Sequence, residues 1–124
     1  GFPAMMGATG SEQVAANDVT LGASMLPTNQ FGYFLTSQTA GFIANPGGAQ
    51  GNLYLVGKMG RYSGSLQNSG SAGAFQLTID LTNMPPPVQS SVLPGDTWNF
   101  VGWFRDKNPT NTSNFTDGLS ILFL

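Results

Sequence analysis

The chain has 124 residues, the size of one ordinary domain, and its 40% hydrophobic content suffices for a buried core. Only 8% of the residues are charged, the formal net charge is −2, and there is no histidine or cysteine. That composition excludes a disulfide scaffold, a thiol nucleophile and a Cys/His zinc site. The four cations Lys58, Arg61, Arg105 and Lys107 are too few and too scattered for nucleic-acid binding or a polybasic membrane anchor.

The first residue is Gly1 rather than Met, so a leader or a preceding domain is expected to have been removed, or the chain is a fragment. Residues 1–10 (GFPAMMGATG) are apolar and read as an extension, a linker or an exchanged strand. Beyond them, 17 glycines and 8 prolines punctuate the chain so often that no helical period survives. Alternation recurs instead. Val19, Leu21, Ala23 and Met25 share one face of a strand that ends at Pro27. Phe31–Ser37 is an aromatic strand, and Leu53–Lys58 follows the turn-rich NPGGAQGN segment. A seventh strand is expected near Arg61–Leu66 or at the N-terminus, and Ser65–Gly73 reads as a mobile hairpin tip.

Phe75, Leu77, Ile79 and Leu81 form the cleanest period-2 pattern, with Gln76, Thr78 and Asp80 facing outward. Pro85–Pro87 predicts an extended connection outside any ladder. Along Thr97–Arg105, Trp98, Phe100, Gly102 and Phe104 fall on one face, while Asn99, Val101 and Trp103 fall on the other. In the last strand, Leu119, Ile121 and Phe123 oppose Leu122 and Leu124. Turn signals every 8–12 residues predict an all-β fold: a two-sheet antiparallel β-sandwich of immunoglobulin or fibronectin III architecture, with a jelly roll as the alternative. Residues 11–124 make a single domain.

Three groups of side chains suggest function. Tyr33, Tyr54, Tyr62, Trp98 and Trp103 could form a sugar-stacking platform, with Trp103 beside Tyr33 or Tyr62 preferred, although core packing is the commoner fate of such rings. Within Arg105–Gly118, Asp106, Asn108, Asn111, Asn114 and Asp117 offer the oxygen donors that calcium takes; a polar loop held by Asx turns is the plainer reading. Asp106, Asn108 and Asp117 are the calcium candidates, and no other cofactor is expected. Phe2, Met5, Met6, Leu122 and Leu124 are candidates for assembly, because apolar ends must be covered within the domain or by a neighbouring subunit's sheet. Asn111-Thr112-Ser113 and Asn114-Phe115-Thr116 match the N-glycosylation sequon, which Asn- and Ser-rich chains also reach by chance. No catalytic residue is assigned: the six carboxylates sit mostly beside turn formers rather than as a facing pair.

The segments NQFGYFLTSQT (29–39), NPGGAQGNLYL (45–55), GRYSG (60–64), GDTWNFVGWFRD (95–106) and SNFTDGLSI (113–121) resemble a C-terminal module of large secreted bacterial proteins. That module often follows FG-GAP or similar propeller repeats. The resemblance spans about residues 11–124 and implies an extracellular or cell-surface location, with no activity assigned to it. The expected role is therefore a non-catalytic structural module that associates with itself or with neighbouring domains, with fibre-forming contacts made by strands or strand edges. Carbohydrate binding or adhesion is the alternative, with glycans as partners. Neither nucleic acid nor a membrane span is expected.

Overall fold

The period-2 patterns become strands in a computed structural model, which describes residues 4–46, 49, 51–107 and 111–124. Among these residues there are eleven strands. They are β1 (Met5–Thr9), β2 (Thr20–Ser24), β3 (Phe31–Ser37), β4 (Thr39–Ala44), β5 (Asn52–Val56) and β6 (Gly60–Arg61). The remainder are β7 (Gln67–Asn68), β8 (Phe75–Thr78), β9 (Thr97–Lys107), β10 (Asn111–Phe115) and β11 (Leu119–Leu122). The helical content described is two short 3-10 turns, Val14–Ala16 and Ser63–Ser65. No helix among the described residues is long and apolar enough to cross a membrane.

Two antiparallel sheets form the sandwich. The first has the order β1-β2-β8 and the second β10-β9-β3-β6, with β11 also on β9 and β7 also on β3. Between the sheets lies the main core, where Trp98, Phe100 and Phe104 of β9 meet Phe34 of β3 and Leu21, Ala23 and Phe75 of the first sheet. The Trp98, Phe100 and Phe104 face of β9 is therefore the one turned toward the first sheet. Phe75, Ile79 and Leu81 are buried while Gln76, Thr78 and Asp80 are exposed, as the alternation requires. The C-terminal strand follows its parity too: Phe123 is buried, and Leu122 and Leu124 remain exposed.

The β4–β5 hairpin adds a third layer. Leu53 and Leu55 of β5 cover Leu35 and Val101 on the back of the second sheet, so β3 and β9 carry apolar residues on both faces. The hairpin contains a β-bulge between Ala40 and Ile43, which sets Gly41 and Phe42 together against Tyr54. Gly41 is needed there, because a Cβ at that position would lie 2.3 Å from a methyl of Val56.

Four local expectations are corrected. Asn111–Phe115, expected within a polar loop, is β10, with Phe115 opposite Trp103 and Thr112 opposite Asp106. Thr39–Ala44, not expected as a strand, is β4. Met25 adopts φ 59° and is exposed, and Leu26 is buried in its place. The proline run closes a turn rather than extending: Val88 N–H donates to the Pro85 carbonyl at 3.0 Å, and Gln89 N–H to that of Met84 at 3.1 Å. At the N-terminus, Met5–Thr9 pairs antiparallel with Thr20–Ser24 of the same chain.

Candidate functional site

Carboxylates fasten the chain at four places. Asp18 Oδ1 accepts from Ser11 N–H at 2.8 Å, and Asp96 Oδ2 from Leu93 N–H at 2.9 Å. Asp80 Oδ1 accepts from the Thr82 hydroxyl (2.7 Å), the Thr82 N–H (2.9 Å) and the Asn17 amide (3.2 Å). Those bonds, the hydroxyl foremost, hold the Asp80 pKa below its ordinary value. Asp117 Oδ1 accepts from Met6 N–H at 2.7 Å, and Asp117 N–H donates to the Ala4 carbonyl at 3.2 Å, which latches β1 to the corner between β10 and β11.

The calcium candidates are not brought together. Asp106 faces Thr112, while Asp117 lies five residues further along, about 16 Å at strand rise. Asn108 lies outside the described residues. Among the described residues no group of three or more His, Cys, Asp or Glu side chains is placed to hold a metal ion.

The three aromatic candidates also separate. Tyr33 and Trp103 are register partners whose ring centroids lie 5.0 Å apart at 39°. Both pack on the small cluster beneath the hairpin, beside Phe115, and the Arg105 guanidinium sits 5.7 Å from the centre of the Trp103 ring. Tyr62 belongs to the opposite side of the sheet, where it packs against the main core and its hydroxyl approaches Met84 Sδ at 3.9 Å. Burial, and secondarily the negative charge of Asp80, push the Tyr62 pKa well above its ordinary value. Of the two expected partners of Trp103, Tyr33 lies beside it and Tyr62 is a distant ring.

Of the assembly candidates, Met6 is corrected: it is buried in the main core because strand parity turns it inward. Met5, Leu122 and Leu124 are exposed, and Phe2 lies outside the described residues. An edge that the sequence did not suggest is more open than any of these. Strand β4 pairs with β5 alone, none of its six residues is buried, and it carries no charge. Phe42 is 60% exposed, and its ring tilts against Tyr54 at 5.8 Å.

Behind Tyr54 a groove of about 380 Å³ runs between the hairpin and the corner entering β11. Tyr54, Asn99, Asp117, Gly118, Leu119 and Ser120 form most of its wall. Asn99 is buried and fixed: its amide N–H donates to the Ser37 carbonyl at 3.2 Å, and its Oδ1 accepts the Ser120 hydroxyl. The members of this wall come from distant parts of the chain, and no spacing in the sequence announces them.

The two sequons differ in their surroundings. Asn111 is exposed, but Thr116 of the second sequon is buried, with its hydroxyl accepting from Gly102 N–H and donating to the Asp117 carbonyl, both at 2.8 Å. Comparison with protein-family models, curated proteins and solved structures finds no match to this chain.

Proposed function

We propose that the chain is a non-catalytic structural module working outside the cell, where copies associate through free strand edges. The observation that carries this reading is β4, an uncharged edge strand with five of its six residues exposed and Gly41 half-buried. Edges of this kind are usually blunted by lysine, proline or a covering element; among the described residues the bulge at Gly41 is the device β4 carries. A second copy suits the edge because neither β4 brings a charge, and two identical antiparallel strands are self-complementary about a dyad. The exposed Leu122 and Leu124 offer a second contact, from which a fibre rather than a closed dimer would grow. The low charge and the resemblance to modules of secreted bacterial proteins support an extracellular setting.

Sedimentation and negative-stain microscopy over a concentration series test this. Association that rises with concentration and falls at least about tenfold in Ala44→Lys is the expected result, since a lysine on each facing edge sets like charges together. A monomer throughout, with no filaments, overturns it. Carbohydrate binding is the second reading, and the concave wall beside Tyr54 is the feature that favours it.

A further inference from the structure

We propose that the groove between β5 and the corner entering β11 binds one residue of a neutral sugar chain, with Tyr54 as the stacking surface and Asp117 and Ser120 as hydrogen-bonding groups. This rests on the carbohydrate-binding reading and assigns its site. It places that site away from Trp103.

The groove is concave, and its volume of about 380 Å³ lies toward the small end of ligand pockets. Its chemistry is one-sided. The Ser120 hydroxyl spends its proton on Asn99 Oδ1, so the oxygen it offers the groove is an acceptor. Asp117 Oδ1 is taken by Met6 N–H, while Oδ2 has no protein partner among the described residues. Both polar groups therefore need donors from a ligand. None of the residues lining the groove is cationic, so an anionic ligand finds nothing to neutralise it. Tyr54, 39% exposed, supplies an aromatic face. Hydroxyl donors beside an apolar C–H face are the signature of a pyranose ring, which presents both within one residue.

The wall is also pre-set. Asn99 is anchored by Ser37 and lies on the central strand β9, so the position of Ser120 is fixed by the sandwich rather than by a loop. Gly118 keeps the groove open, because a Cβ there would come within 3.1 Å of Tyr54 Cβ. Tyr54 itself is held by the bulge, which sets Phe42 against its ring.

Isothermal titration of the whole chain with cellohexaose, xylohexaose, mannohexaose and chitohexaose provides the test. At least one is expected to bind, with weakening of about tenfold or more in Tyr54→Ala. Asp117→Asn keeps an oxygen for Met6 N–H and is expected to weaken binding only about threefold, the cost of a neutral rather than a charged acceptor. Trp103→Ala is expected to bind as the parent does. If a sugar binds but Tyr54→Ala is unaffected, or Trp103→Ala abolishes binding, this groove is wrong while carbohydrate binding stands. If none of the four binds, both fall. Binding of a lysine-rich peptide that Asp117→Asn eliminates would replace the sugar with a cationic ligand. Circular dichroism of each variant separates loss of the site from loss of the fold.

Discussion

The two sides of the central sheet are built to different standards. On one side, sixteen buried side chains from both sheets and the connecting turns fill the main core; on the other, four hold the β4–β5 hairpin down. The first side closes with an aromatic interior and loops fastened by carboxylates. The second leaves β4 exposed and the aromatic rings of Phe42 and Tyr54 in solvent. Stability therefore resides in the sandwich, and the surfaces free for contact gather on the thin layer. Regions that bind are commonly drawn from the weakly held part of a fold, since they can adjust without unfolding it.

Removing a pillar of the thick side would test this division most severely. Trp98 is 1% exposed between the sheets, and Trp98→Ala should cost about 3–5 kcal/mol through lost burial and the cavity left behind. Chemical denaturation should show a single earlier transition for the whole domain. A loss below about 1 kcal/mol would mean that the sheets do not depend on their shared interior.

A matched truncation on the thin side should behave differently. Leu55 is fully buried, yet its neighbours are few and the hairpin can settle into the space, so Leu55→Ala should cost about 2 kcal/mol, at the low end for such a change. Hydrogen exchange should quicken first at β5, with β2 and β9 still protected. Equal loss of protection in all three strands would join the two sides into one cooperative unit.

The same contrast explains what could be read beforehand. On the thick side period 2 holds through β8, β9 and β11, so their inward faces follow from counting, and it slips just after β2, where Met25 turns out and Leu26 in. On the thin side the bulge at Gly41 and Phe42 breaks the period, and TAGFIA no longer looks like a strand. Asn111–Phe115 misled for another reason: its Asn, Thr and Ser residues favour turns locally, and only pairing with the long tail of β9 makes it a strand. The groove was legible only in pieces: Tyr54 stood among the aromatic candidates and Asp117 among the oxygen donors, and only laying β5 and β11 beside β9 joins them to Asn99 and Ser120.

Alkaline pH should act on the thick side through Tyr62, and just above pH 10.0 its effect is the smallest of the three. Tyr62 has its pKa raised above 10.0 by burial against the main core and by the charge of Asp80. Above that pH the unfolded chain releases the phenolic proton while the folded one retains it, so the native state binds more protons and stability falls as pH rises. The slope is at most about 1.4 kcal/mol per pH unit, beginning near pH 10.0. Tyr62→Phe has no proton to lose and should remove this part of the alkaline dependence. Denaturation midpoints of the parent and Tyr62→Phe, followed from neutral pH upward, should therefore diverge once pH 10.0 is passed. Parallel curves would place the Tyr62 hydroxyl in contact with water, and with it a gap in the wall of the main core.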